Sequence, residues 1–274
     1  MSHRRAVILL VTASILWSLG GLLIKSIDWP SMAKAGGRSA IACVILLAWS
    51  GRPKLSWRPS QIAAAIGYAG TVSLFVIAND RTTAANAIFL QYTAPIYVAV
   101  FGRWFLGEPA RRIDWVCIVI ALAGIALFFR DQFSSTGQIG IAAALASGVS
   151  FAVMVMALRK ERDGSPEGAL LLGNVITAAV GLPFAIGHPL SLEQGSLLLT
   201  LGVVQLGIPY ILYSLAIRRV TALEAILVPM LEPILNPLWV ALARGEIPGP
   251  WSLLGGALVL GAVVLRGLLP ARSA

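Results

Sequence analysis

Along the 274 residues, long apolar stretches alternate with short polar knots rich in Arg, Gly and Pro. Breaking the chain at those knots leaves ten apolar runs, at residues 6–27, 31–50, 60–78, 82–102, 112–129, 138–158, 167–187, 195–216, 221–243 and 250–268. Each is close to the roughly 20 residues that a helix needs to cross a hydrocarbon layer about 30 Å thick. None shows the alternation of a barrel strand. In lipid every backbone amide has to be satisfied within its own segment, so the pattern predicts helices. The expected fold is an all-α integral membrane protein with ten transmembrane helices, whose connectors are too short to hold a soluble domain.

Composition agrees: 58% of the residues are apolar and 12% charged, against about 25% charged in a soluble domain. The formal net charge of +9 would raise nucleic acid as a partner in a soluble protein. Here the cations sit between apolar runs, as in cytoplasmic loops, so the lipid bilayer and no nucleic acid is the expected partner. Of the 21 Lys and Arg residues, fifteen fall on one side when the N-terminus is assigned to the cytoplasm. Only Lys25, Arg81, Arg130 and Arg244 fall on the other, with Lys34 and Arg38 in or near the second span. That bias predicts an even number of crossings and both termini on the cytoplasmic side of a bacterial inner membrane. Arg4 and Arg5 precede an apolar run that is too long for a cleaved signal core. Cys43 and Cys117 have no metal spacing and read as packing residues; no metal and no cofactor is expected.

Sliding the chain against itself aligns residues 81–108 with 219–246 without gaps. Arg81, Thr83, Ala84, Ala87, Ile88, Pro95, Ile96, Gly107 and Glu108 match Arg219, Thr221, Ala222, Ala225, Ile226, Pro233, Ile234, Gly245 and Glu246. These are the fourth and ninth spans. Five spans separate them, and an odd number turns the second copy upside down. The expected organisation is two inverted five-helix repeats, residues 1–135 and 136–274, related by an axis in the membrane plane, the arrangement that gives transporters two alternative packings.

The repeated segments "AIFLQYTAPIYVAVFGRWFLGE" from Ala87 and "AILVPMLEPILNPLWVALARGE" from Ala225 each place a proline in mid-helix and end on Gly-Glu. Gly-rich closing helices follow, "IALAGIALFF" and "GGALVLGAVVL", and "ASILWSLGGLLIK" opens the chain. In these segments the sequence resembles the drug/metabolite transporter superfamily in its ten-helix EamA branch, over essentially the whole chain. Among its members it is most similar to bacterial amino-acid exporters of the YddG type. The resemblance implies alternating access around a cavity lined mainly by spans 1, 3, 4, 6, 8 and 9, with spans 5 and 10 peripheral. The chain is expected to work as a monomer on a small-molecule substrate.

Glu232 lies near the middle of the ninth span, where a carboxylate is costly and therefore a functional candidate. It could hold a proton, meet a substrate ammonium, or tie its helix to a neighbour; Asn236 follows one turn on. Asn86, Thr93 and Tyr97 fall at i, i+7 and i+11 and therefore share a face of the fourth span, a polar stripe expected to point inward. Gln91 precedes Pro95 by one turn and can either satisfy a carbonyl that the proline frees or meet substrate. Tyr68, Phe75 and Asn79 form a similar stripe on the third span. Trp17 sits too deep for an interfacial anchor. Gln205, Tyr210 and Tyr213 give the eighth span polar and aromatic character. All thirteen are candidate substrate-binding residues, and Pro95 and Pro233 are candidate hinges. Lys34 and Arg38, at i and i+4 close to the outer end of the second span, read as side chains snorkelling to the interface, with an electropositive mouth for carboxylates as the alternative.

The expected activity is export of small metabolites, most of all amino acids including hydrophobic or aromatic ones. Export of cationic drugs is the alternative, since an acidic site suits cations. Nucleotide-sugar or sugar-phosphate carriage needs deep cations for the phosphate, whereas the deep charge is Glu232. His3 and His188 are the only histidines, both near span ends, and no nucleophile and base fall together, so an enzyme is not expected.

Overall fold

The computed structural model describes residues 1–128, 130, 137–235 and 250–268. These residues form helices in all ten expected segments and no strand. Five spans are unbroken or nearly so: Ser31–Ser50, Pro59–Arg81, Arg112–Phe128, Gln138–Lys160 and Pro250–Leu268 (second, third, fifth, sixth and tenth). The seventh, Pro166–Gly181, ends in a 3-10 turn at Leu182–Ala185. The other four are interrupted. The first is split into His3–Trp17 and Gly20–Lys25, and the fourth into Ala84–Gln91 and Ala94–Leu106. A π-helical stretch, Leu201–Gly207, separates Leu192–Thr200 from Ile208–Ala216 in the eighth. The ninth runs Ala222–Leu227, tightens to a 3-10 turn at Val228–Leu231 and resumes. Its remainder, with Asn236, Arg244, Gly245 and Glu246, lies outside the described residues.

Local chemistry sets the ends. Ser2, Thr83, Ser165 and Ser191 each cap a helix N-terminus by accepting a backbone amide three residues on. Thr221 and Glu224 form a reciprocal capping box, which satisfies two amides at once. Thr83 and Thr221 correspond in the repeat, so the two copies begin with the same device. The fourth span stops at Gly107, whose left-handed backbone (φ 69°) is the usual glycine C-cap.

Contacts between spans follow an exchange rule in which each span trades places with the one five along. The first span packs on the eighth and the sixth on the third; the second packs on the π stretch of the eighth and the seventh on the third. Spans two and seven, four and nine, and five and ten pair with their own counterparts. That pattern is a two-fold relation between the halves. The closest approaches run through glycine. A Cβ on Gly36 would lie 2.6 Å from the backbone of Gly181, and one on Gly255 would lie 2.4 Å from the carbonyl oxygen of Gly124. Small residues at such crossings let backbones meet, as membrane helix packing requires. The outward surface is apolar, with Trp104, Val44 and Val119 prominently exposed.

Polar contacts sort the span ends into two faces. His3, Glu108, Asp114, Arg159, Glu224 and Arg266 meet on one face. Ser31, Lys34 and Asp80 meet on the other. His3 opens the first span and Arg266 closes the tenth, so both ends of the described chain reach the same face. Repeat partners Arg81 and Arg219 belong to opposite faces, as inversion demands.

Candidate functional site

Two breaks cross at the centre of the molecule. Pro95 has no amide hydrogen for the carbonyl of Gln91, and its ring crowds the preceding turn; the fourth span opens there at Tyr92 and Thr93. In the ninth span Pro229 and Pro233 act on a turn that tightens to 3-10. At the repeat offset, Tyr92 and Thr93 correspond to Met230 and Leu231, so the breaks coincide. Ala94 corresponds to Glu232, and the carboxylate is present in one copy only. The hydroxyl of Tyr92 lies 2.7 Å from the carbonyl oxygen of Pro229 and 2.8 Å from Oε2 of Glu232, joining one break to the other.

Beside this junction lies a small cavity lined by Trp17, Arg38, Thr71, Val72, Phe75, Gln91, Tyr92, Phe151, Gln205, Leu206, Tyr210 and Glu232. Spans 1, 2, 3, 4, 6, 8 and 9 all contribute. Five of the twelve residues are aromatic. Trp17 and Tyr210 pack with ring centroids 5.0 Å apart, and Tyr92 meets Phe151 edge-on. Gln91 donates to the hydroxyl of Ser147 (2.8 Å), which donates to the carbonyl of Thr71 (3.0 Å). This chain links spans four, six and three.

Of the thirteen residues singled out in the sequence, Trp17, Phe75, Gln91, Gln205, Tyr210 and Glu232 line the cavity. Tyr68 and Tyr213 stand directly behind Tyr210. Their hydroxyls are committed elsewhere, Tyr68 to Asn174 and Tyr213 to the carbonyl of Ala225. Asn79 donates to the carbonyl of Phe75 and is buried off the cavity. The face expected to join Asn86, Thr93 and Tyr97 is not kept, because the break at Tyr92 and Thr93 resets the helical phase. Asn86 donates to Thr82 near the span's start, Thr93 donates to the carbonyl of Leu90, and Tyr97 packs half-buried against the core. Asn236 lies outside the described residues.

The snorkelling reading of Lys34 and Arg38 fails. Lys34 turns to Asp80, 2.9 Å away, and to the carbonyl of Ile24. Arg38 is 2% exposed and enters the cavity wall. Its Nη1 donates to Oε1 of Gln205 (3.1 Å) and its Nη2 to the carbonyl of Val72 (3.3 Å). Tyr92 and Phe151 also reach the cavity without having been singled out. Both are aromatic and central in their spans, the same signal that marked Trp17.

On the face that holds His3 and Arg266, ion pairs cross between the halves. Glu108 binds Arg159 (2.8 Å) and accepts from the backbone amide of Ala222 (2.9 Å). Asp114 lies 2.8 Å from Arg266, which reaches Glu224 at 3.1 Å, and His3 reaches the same Glu224 carboxylate. A second cavity opens beside this cluster.

The EamA-like transporter family model matches the chain twice, over residues 4–130 and 138–267. The chain is 24% identical to the pseudopaline exporter CntI of Pseudomonas aeruginosa, with 95% of each chain covered. It is 26% identical to the threonine/homoserine exporter RhtA of Salmonella typhimurium, covering 77% of this chain and 74% of that one. With the transporter YdfC of Bacillus subtilis it shares 31% identity over 72% of this chain and 67% of the relative. A solved crystal structure superposes over the full length of both chains with a TM-score of 0.82 at 20% identity.

Proposed function

Because the chain belongs to the EamA-like transporter family, and so is a multi-pass membrane transporter and not an enzyme, we propose that it exports amino acids, hydrophobic and aromatic ones among them, by alternating access. The observation that carries this reading is the cavity at the crossing of the two breaks, with Glu232 on its wall. The rings of Trp17, Phe75, Tyr92, Phe151 and Tyr210 offer apolar area to a hydrophobic side chain. Among the relatives, RhtA is a threonine/homoserine exporter.

In this mechanism residues 1–135 and 136–274 rock against each other in the inner membrane, with both termini cytoplasmic and one chain as the working unit. Pro95 and Pro233 are the hinges, since each sits where the helix has already lost a backbone bond. Glu232 meets the substrate ammonium or a proton. The binding residues are Trp17, Phe75, Gln91, Gln205, Tyr210 and Glu232, with Tyr68 and Tyr213 supporting them.

Export of cationic drugs is a second reading, favoured by the Glu232 carboxylate alone. Sugar-phosphate carriage is disfavoured because among the described residues a single arginine faces the cavity, where a phosphate dianion calls for several cationic donors.

The test is transport into proteoliposomes across a panel of amino acids and organic cations, with and without a pH gradient, comparing wild type with Glu232→Gln. Amino-acid transport that falls at least about tenfold in the variant supports the reading. Transport of cations alone overturns the substrate class, and unchanged transport removes Glu232 from the site.

A further inference from the structure

Arg38 is the one cavity residue whose chemistry is left open. Its guanidinium is buried, yet among the described residues Nε has no hydrogen-bond partner and no carboxylate approaches within 4.0 Å. A buried charge of this kind is costly unless paired. Its two bonds, to Gln205 and the Val72 carbonyl, are to neutral acceptors. Glu232 lines the same cavity and is engaged by the Tyr92 hydroxyl.

The backbone is arranged to hold this geometry. The π stretch Leu201–Gly207 brings the eighth span onto the second. A Cβ on Gly202 would lie 2.5 Å from Ile41 and 3.0 Å from the carbonyl oxygen of Arg38 itself. Gly20, just past the break in the first span, leaves room for Gln205: a Cβ there would lie 2.5 Å from its Nε2. Irregular helical turns of this type recur at functional sites. An interrupted span and a π-helical one thus converge on one oriented guanidinium.

We infer that Arg38, oriented by Gln205, is the receptor for the carboxylate of a zwitterionic substrate whose ammonium lies toward Glu232, and that it sets the selectivity for amino acids over amines and amides. The inference rests on the cavity being the substrate site. An arginine with a free donor edge suits a carboxylate through charge-assisted hydrogen bonds. A purely cationic ligand would satisfy Glu232 but leave Arg38 unpaired and repelling it. A dianion would satisfy Arg38 but face Glu232. A zwitterion answers both groups.

The experiment measures counterflow in proteoliposomes for each transported amino acid beside its amide and its decarboxylated amine, for example phenylalanine, phenylalaninamide and phenethylamine. Wild type should prefer the acid by about 10- to 100-fold, the worth of one charged hydrogen-bonded contact. Arg38→Met should reduce that ratio to near one, and Arg38→Lys should restore part of it. Gly20→Ala and Gln205→Leu leave the charge in place while disturbing its orientation; each should lower the ratio several-fold. If Arg38→Met moves no substrate at all, the ratios in Gly20→Ala and Gln205→Leu decide, and unchanged ratios in both overturn the assignment. An Arg38→Met protein that transports and keeps the wild-type preference overturns it outright. Wild type that moves no amino acid sinks the cavity reading instead, a result independent of the ratio.

Discussion

The hydroxyl of Tyr92 stands between two acceptors, the Pro229 carbonyl at 2.7 Å and Glu232 Oε2 at 2.8 Å. A phenol has one proton to give and a carbonyl can only accept. Both contacts are hydrogen bonds at once only if the carboxyl group donates to the phenol. Glutamine carries a donor in the same place, so Glu232→Gln is expected to keep both contacts and fold with stability within about 0.5 kcal/mol of wild type. Tyr92→Phe leaves the Pro229 carbonyl unpaired and should cost about 1–3 kcal/mol. Thermal unfolding in detergent separates the two variants; equal losses would contradict the proton count.

The Asp114–Arg266 pair is buried on both sides, with side-chain exposure of 3% for each. Removing one charge from such a pair typically costs about 3–5 kcal/mol. Asp114→Asn should therefore lower the unfolding midpoint sharply, whereas Asp163→Asn, in a pair whose aspartate is 92% exposed, should leave it within error. A midpoint in Asp114→Asn matching wild type would show that Glu224 alone suffices for Arg266.

Glu108 ties Arg159 and the start of the ninth span to the end of the fourth. If the halves rock, these contacts hold this face shut. Glu108→Gln should loosen it by about 1.4 kcal/mol, a tenfold change in the open population. The readout is labelling of a cysteine placed at Val98, on the wall of the adjoining cavity, with Cys43 and Cys117 replaced. A membrane-impermeant thiol reagent should react roughly tenfold faster in the variant; an unchanged rate argues against a latch.

Glycine substitutions test the packing directly. A Cβ on Gly67 would lie 2.7 Å from the amide nitrogen of Met154, whereas nothing lies within 4 Å of one on Gly261. Gly67→Ala should destabilise by about 1–3 kcal/mol through overpacking. Gly261→Ala should be neutral or gain up to about 1 kcal/mol from helix propensity. The same unfolding assay decides, and the reverse order would mean that spans three and six are not in contact as described.

Span positions were legible because lipid imposes one length and one pattern, and Pro95 with Pro233 marked both central breaks. Trp17 was legible from depth alone. The stripe of Asn86, Thr93 and Tyr97 misled because a 3.6-residue period assumes a continuous helix, and the break lies inside it. Arg38 was read as a snorkelling cation because distance from a span's end is all a sequence offers. Its true surroundings depend on the eighth span's π stretch, whose glycines give no one-dimensional signal of what they approach. The tie between Tyr92 and Glu232 joins residues far apart in the chain and from opposite copies, beyond the reach of local pattern.

The two breaks fall at matching positions of the repeat, but Glu232 stands where the other copy has Ala94. A molecule with matched halves and matched chemistry would have two end states of equal energy, and no preferred resting side. If the halves rock as proposed, an acid in one copy makes the two end states inequivalent, and their occupancy should respond to whatever neutralises that single carboxylate.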